Sequence, residues 1–466
     1  MRPSTASAGS GHPYIPNSAP AVKADLLAAS GLHSVEDVFA EIPRALRLDR
    51  PLRLPPAIES EWELQRHLEQ VLGRNESTSD LLSFLGAGCY PHHVPAVCSE
   101  INSRAEFLTA YAGEPYEDHG KWQALFEYTS LMAELLDLDV VNVPTYDGYQ
   151  AAATALRMAG GITGRSSVLL ASSVSPAKRA KIVDYLAGSM TVRTLPFDGA
   201  GMVDRAALAD LLGPDVAAVY LESPNAFGVI EASGRQIADL ARAAGSMVVV
   251  GAEPACLGYL EPPARWGADL VCGDIQSLGL GMHFGGANGG FIAARDTERI
   301  VMHYPSRLFG LAPTAVPGEL GFCDIAYERT SLANRELGNE WVGTAAALWG
   351  ITAGVYLALM GPAGMRELGQ TVAARTRYAI SRLSAVPGLR LPFAGSAHWR
   401  EFLVRLDGGL DVAAVNERLL DRGILGMVDV TGHWDLGGPA GLICVTEKHD
   451  QADIDRLVTE LEGILA

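Results

Sequence analysis

Between residues 151 and 293 short apolar runs recur at intervals that suit a sheet covered on both faces. They fall at Val168–Ala171, Thr191–Leu195, Val216–Leu221, Met247–Val250, Leu270–Cys272 and Gly290–Ala293. Stretches with helical spacing, such as Arg205–Leu212 and Gln236–Ala244, separate several of them. Runs apolar on both faces and joined by helices predict a mostly parallel sheet. An Ala- and Leu-rich stretch, Thr344–Met360, predicts a long helix leading away from that body. A smaller α+β pattern follows: strand Glu401–Leu406, helix Val412–Leu420, strand Leu442–Val445 and a last helix Asp453–Leu465. In that helix Ile454, Leu457, Val458, Leu461 and Leu465 share one face, and Asp450 is placed to cap it.

The same pattern divides the chain. Residues 1–15, rich in Ser, Ala, Gly and Pro, read as a disordered tail, and 16–78 as a helical arm with Pro-rich breaks that wraps a neighbour. Residues 79–340 form the large α/β domain, and 341–466 the long connecting helix and a smaller C-terminal α+β domain.

Composition narrows the partners. Lys plus Arg is 36 and Asp plus Glu is 54, a net charge of −18. So acidic a surface repels nucleic acid and anionic membrane, and neither is expected as a partner. The six cysteines are scattered without C-x-x-C pairs or Cys/His clusters at ligand spacing, so no metal site is expected. Their apolar settings suit free thiols in a reducing cytoplasm. The N-terminus lacks the apolar core of a signal peptide, and no run as long as a membrane span is free of charge or turn residues.

A large α/β domain followed by a small one resembles the layout of fold-type I pyridoxal-phosphate-dependent transferases. Such an enzyme needs a lysine to hold its cofactor as a Schiff base and an acid to pair with the pyridine nitrogen. Glu253 takes the acidic position and Gly285-Gly286 the turn beyond, but the lysine slot falls at or near Gln276-Ser277. The chain has five lysines, Lys23, Lys121, Lys178, Lys181 and Lys448, and none lies in that segment. The fold is therefore expected to be degenerate, with no covalently bound cofactor and no pyridoxal chemistry on this chain alone.

Longer strings make the resemblance specific. FLGAGCYPHHVPAV (Phe84–Val97), QALFEYTSLMAELLDLDVVNVPTYDG (Gln123–Gly148), SPNAFGVIE (Ser223–Glu231), YLALMGPAGMREL (Tyr356–Leu368), RGILG (Arg422–Gly426) and LICVTEK (Leu442–Lys448) are similar to the α-type subunit of glycine decarboxylases. These are the P-proteins of the glycine cleavage system. The resemblance implies an α2β2 assembly in which a β-type partner carries pyridoxal phosphate on its lysine and decarboxylates glycine. The aminomethyl group would pass to a lipoyl H-protein, and this chain would buttress the partner and supply loops to its active-site mouth.

Each candidate residue has two readings. Tyr90, His92 and His93 follow Gly86 and Gly88 in a turn that opens a helix, where they would meet a substrate carboxylate or simply pack. Tyr111, Tyr116 and Glu117 resemble a Tyr-rich stretch that faces the partner's site. However, the family's Pro-Glu-Ile/Val-Ser/Ala-Gln-Gly is Tyr116-Glu117-Asp118-His119-Gly120-Lys121 here, and only Glu117 carries over. Thr145, Tyr146, Asp147 and Gly148 begin the helix that bears the phosphate-binding turn in catalytic homologues, and Asn225 and Gly228 lie where those homologues hold the ring. With Glu253, Gln276 and Ser277 these are degenerate cofactor-site positions, expected to keep shape more than binding. Arg307 and Arg329 would meet a carboxylate or form interface ion pairs.

One block departs from the family. Its Arg-Arg-Glu-Lys-Ala-Thr-Ser-Asn-Ile-Cys-Thr corresponds to Asn334–Thr344 here, which retains Arg335, Glu336 and Thr344 but lacks the Lys, Ser-Asn and Cys. Arg335 therefore stands as a further mouth candidate. The change leaves open a diverged subunit whose partner handles another amino acid, or a non-catalytic scaffold of the same fold.

Overall fold

The computed structural model describes residue 15 and residues 18–50, 52–107, 119–286, 288–338 and 346–466. Tyr111, Tyr116, Glu117 and all of the expected tail except residue 15 lie outside the described residues. The chain forms two units, Met1–Glu76 and Ser77–Ala466.

The first unit carries helices α1 (Pro20–Ala29), α2 (Val35–Val38) and α3 (Glu61–Leu72). Ser34 and Asp37 close a capping box on α2, and Ser60 caps α3 through the amide of Glu63. None of these helices buries a residue. Leu64, Leu68, Val71 and Leu72 share one face of α3 and are all exposed.

The second unit begins with β1 (Leu82–Ser83), α4 (Ala96–Asn102) and α5 (His119–Leu136). The large sheet then follows as β2 (Val140–Val141), α6 (Gly148–Thr163), β3 (Ser167–Ala171), α7 (Pro176–Leu186), β4 (Thr191–Leu195), α8 (Arg205–Leu211), β5 (Val216–Ser223), α9 (Gly234–Ala243), β6 (Met247–Ala252), β7 (Leu270–Asp274) and β8 (Gly290–Ala294). Strand order is β2-β8-β7-β6-β5-β3-β4, and only β8 runs against its neighbours. Alternation along a strand sends successive side chains into different cores. Leu270 and Cys272 join Leu156 of α6 on one face, while Val271 joins Tyr128 of α5 on the other. A hairpin of β9 (Phe309–Pro313) and β10 (Leu320–Asp324) follows.

The long helix α10 (Ala347–Leu383) runs well past the expected end at Met360. The sequence signal stopped there because Gly361-Pro362 breaks the hydrogen-bond ladder. Gly361 takes φ 57° at the kink, and the helix resumes beyond it. It is the one helix among the described residues that is long and apolar enough to cross a membrane. Its Tyr356, Leu357 and Val372 lie in the core with Tyr128 and Met132 of α5.

The small lobe comprises β11 (Leu389–Arg390), β12 (Glu401–Leu406), α11 (Val412–Leu420), β13 (Ile424–Leu425), β14 (Val428–Asp429), β15 (Ala440–Cys444) and α12 (Gln451–Leu465). Its antiparallel sheet has the order β11-β12-β15-β14. The early strand β1 pairs with β13, so residues 82–83 add to this lobe although they precede the large sheet. Asp450 caps α12 in a capping box with Asp453. The buried face of α12 takes Ile464 rather than the expected Leu465, which is only partly buried.

Candidate functional site

Three carboxylates end adjacent strands of the large sheet: Glu222 on β5, Glu253 just past β6 and Asp274 on β7. Side chains at carboxyl ends of such strands face the crevice where α/β proteins bind ligands. The crevice here is a cavity of about 440 Å³, closed by the turn at Ala87–Tyr90, the N-termini of α6 and α7, and Trp399–Glu401 of the small lobe. The lobes touch at Gly228, where an added Cβ would lie 1.8 Å from the Glu401 carbonyl oxygen.

Ser277, one of the two residues at the expected lysine slot, is buried, and its hydroxyl donates to Glu253 Oε1. Gln276 is spent on the neighbouring turn. Its amide donates to the carbonyls of Tyr90 at 3.1 Å and Gly281 at 2.8 Å, and its Oε1 accepts the Tyr90 amide at 3.2 Å. Glu253 itself receives Arg400 Nη2 at 2.6 Å. Burial works against the Glu253 carboxylate, but the Arg400 charge and the Ser277 hydroxyl outweigh it and hold its pKa below the usual range.

Of the five lysines, Lys178 reaches the cavity wall from the first turn of α7. Its Nζ lies 2.5 Å from Glu222 Oε1 and 5.2 Å from the Tyr149 ring centroid. Burial disfavours the ammonium, yet the Glu222 charge and hydrogen bond overcome it and raise its pKa. A protonated amine is not a nucleophile, so Lys178 does not replace the missing Schiff-base lysine.

The helix end that would receive a phosphate is filled from within. Asp147 caps α6, accepting the Gln150 amide at 2.6 Å and pairing with Lys181 at 2.7 Å. Asp274 Oδ2 accepts the Gly148 amide at 2.9 Å, and its Oδ1 the Gln276 amide at 2.8 Å. Burial pushes the Asp274 carboxyl up to about 7. Two acidic side chains at a helix N-terminus compete with a phosphate for its amides. With no free amine, an occupied acid and a self-capped helix, these residues do not fit pyridoxal phosphate.

The other predicted residues scatter. Tyr90 lines the cavity, its hydroxyl donating to Glu401 Oε2 at 2.8 Å. His92 is buried behind it. Arg400 offers only N–H groups, so His92 Nε2 accepts from Nη1 at 2.9 Å and Nδ1 donates to Glu447 at 2.7 Å. Such a ring holds a network together rather than facing substrate. His93 is exposed and meets Glu447 through its backbone amide at 2.6 Å. Asn225 lines the cavity but is tied to the Gly201 carbonyl and to the amides of Phe227 and Val229. Thr145 is buried beside β8, and Tyr146 is exposed.

Both arginines offered for a carboxylate are used inside the chain, away from the cavity wall. Arg307 clasps Asp324 with two nitrogens, at 2.9 and 2.5 Å, beneath Trp122 and Phe309. Arg329 is buried and donates to the carbonyls of Tyr304, Ser306 and Ile325, and burial lowers its pKa to about 10. Arg335 is exposed and off the cavity. Among the described residues no group of His, Cys, Asp and Glu could hold a metal ion.

Sequence reasoning missed Arg400, Glu401, Lys178, Glu222 and Asp274. The signal for four of them was available, since each charged residue stands at or within two residues of the end of an apolar strand run. Lys178 had none, because only the packing of α7 on the sheet brings it inward.

The sheet, the small lobe and the cavity between them define a fold-type I pyridoxal-phosphate transferase scaffold that lacks its cofactor lysine. Two solved structures share this architecture at low identity. One is a NifS-like protein (TM-score 0.60, 14% identity, 82% of this chain and 98% of that one). The other is a Burkholderia pseudomallei sphingosine-1-phosphate lyase (TM-score 0.64, 16%, 91% and 94%). The chain belongs to the glycine cleavage system P-protein family, which it matches over residues 12–461. It is 36% identical to a probable glycine dehydrogenase (decarboxylating) subunit 1 of Staphylothermus marinus, over 97% of this chain and 98% of that one. To the same subunit of Moorella thermoacetica it is 37% identical, over 97% and 100%. The crystal structure of an inhibitor-bound glycine decarboxylase (P-protein) superimposes with a TM-score of 0.82 at 34% identity, covering 97% of this chain and all of that one.

Proposed function

We propose that this chain is the cofactor-free subunit of a glycine decarboxylase, supporting a lysine-bearing partner that decarboxylates glycine and passes the aminomethyl group to a lipoyl carrier protein. The observation that carries this reading is Ser277 at the lysine slot of a P-protein family member, bonded to a Glu253 that already has Arg400 as its counter-ion. The cofactor belongs to the partner, and the assembly is an α2β2 heterotetramer in a reducing cytoplasm, where the six free cysteines stay reduced.

Exposed apolar side chains support a permanent partner. Tyr146, Phe284, Leu311, Leu320 and Phe322 stand open on the second unit, and the helices of the first unit bury none of theirs. Obligate interfaces cover such surface. The test is exchange of labelled bicarbonate into glycine by the chain co-purified with its lysine-bearing partner and a lipoyl carrier. Exchange by the pair and none by either chain alone is expected. A well-formed complex that exchanges nothing, or a borohydride-reducible adduct on the isolated chain, overturns the reading.

A further inference from the structure

Arg400 sits at φ 63°, in the left-handed region that long side chains rarely enter. Backbone placed there against preference marks a side chain that its surroundings hold in position. The guanidinium is buried, and its carbon lies 3.1 Å from the Tyr90 ring centroid. Nη2 donates to Glu253 at 2.6 Å, and Nη1 to His92 at 2.9 Å. The Arg400 amide donates to Thr376 Oγ1 at 3.2 Å, which anchors its backbone to α10.

A flat cation, stacked on an aromatic ring and bonded to an acid at a strand end, has the chemical character of a protonated pyridine ring held by its acidic partner. Loss of the lysine and its cofactor would leave Glu253 as a buried charge without a counter-ion, which a protein core does not tolerate. We propose that Arg400 is a built-in substitute for the cofactor ring: its guanidinium takes the ring's place against Glu253 and keeps this subunit's cavity from accepting pyridoxal phosphate.

The same side chain joins three parts of the fold. Tyr90 and His92 come from the turn before α4, Glu253 from the large sheet, and Arg400 from the edge of the small lobe. In a catalytic relative a bound cofactor can be lost; here the plug is part of the chain, and the cavity's lobes stay tied in one arrangement. The inference goes beyond the glycine reading and holds whichever amino acid the assembly acts on.

The test restores the amine and then removes the plug. Full-length chains carrying Ser277→Lys, Ser277→Lys with Arg400→Asn, and Ser277→Lys with Arg400→Gln are incubated with pyridoxal 5′-phosphate and reduced with borohydride. Peptide mass spectrometry then reads the pyridoxyl group at position 277 separately from Lys178. Asn tolerates the positive φ, while Gln keeps a neutral donor for Glu253 should the Asn variant not fold. With Arg400 present, labelling at 277 stays at background. Replacing Arg400 raises it by about tenfold or more. Equal labelling with Arg400 in place overturns the proposal, as does the absence of any gain in an Arg400 variant whose circular dichroism and melting show a folded chain.

Discussion

Asp274 on β7 accepts the backbone amide of Gly148 at 2.9 Å, so a carboxylate of the chain caps the helix end that catalytic relatives would offer to a phosphate. An added Cβ at Gly148 would stand 3.0 Å from the Asp274 Cβ and backbone nitrogen, so strand and helix end are in close contact at that point.

Burial raises the folded-state pKa of Asp274 from its ordinary 3.8 to about 7. The folded chain therefore binds this proton more tightly than the unfolded chain. The resulting stability is full below pH 4 and is lost as pH rises to about 7, with a ceiling of about 4 kcal/mol. Melting of wild type and Asp274→Asn at pH 5 and pH 8 checks it. The variant's melting temperature should fall less between the two, and a parallel fall in both chains would count against the assignment.

Glu447 behaves in the opposite sense. Burial would raise its pKa, but the hydrogen bonds from the His92 ring and the His93 amide outweigh it and hold it at about 2. Its stabilisation is present above about pH 4.5 and disappears toward pH 2, with a ceiling of about 3 kcal/mol. His92→Gln should be less stable than wild type at neutral pH, and the gap should narrow in acid. Acid titrations followed by tryptophan fluorescence give the comparison.

Lys178 and Glu222 form a largely buried pair, with side chains 15% and 10% exposed. Removing one charge strands the other, so Lys178→Met should cost about 3 kcal/mol. Adding Glu222→Gln should recover most of that loss, because the remaining amide still accepts the Tyr220 hydroxyl, now 3.0 Å from Glu222. A double-mutant cycle in urea measures the coupling, and simple additivity would refute it.

Gly228 is where the lobes are closest. It adopts φ 75°, and a Cβ would overlap the Glu401 carbonyl at 1.8 Å. Gly228→Ala should destabilise by about 3 kcal/mol or more, since backbone faces backbone and neither can yield. A thermal melt within a degree or two of wild type would show that the lobes can separate without loss.

Much of the fold was written in short-range pattern. Strand periodicity and flanking helices predict the large sheet because alternation along a strand is a local property, visible without knowing the neighbours. The capping of α12 by Asp450 was legible for the same reason. The extent of α10 was not. Gly361-Pro362 looks like an end, and only packing of Val372 and its neighbours against the core makes the helix continue. The pairing of Leu82 with Ile424 lies beyond any local signal, since it joins residues far apart in the chain.

The sequence by itself determined the absence that matters most. No fold can supply an amine that the chain does not encode, and the segment from Glu253 to Gly286 holds no lysine. Tertiary structure alone decided what fills the place. Arg400 and Glu253 are remote in sequence, as are Asp274 and Gly148. Each pair meets only because strand ends, helix starts and the small lobe converge on one cavity. Low dielectric there requires every buried charge to find a counter-ion or hydrogen-bond donors. Arg307 and Arg329, which sequence reasoning offered to a substrate carboxylate, were claimed instead by Asp324 and by backbone carbonyls that folding brought within reach.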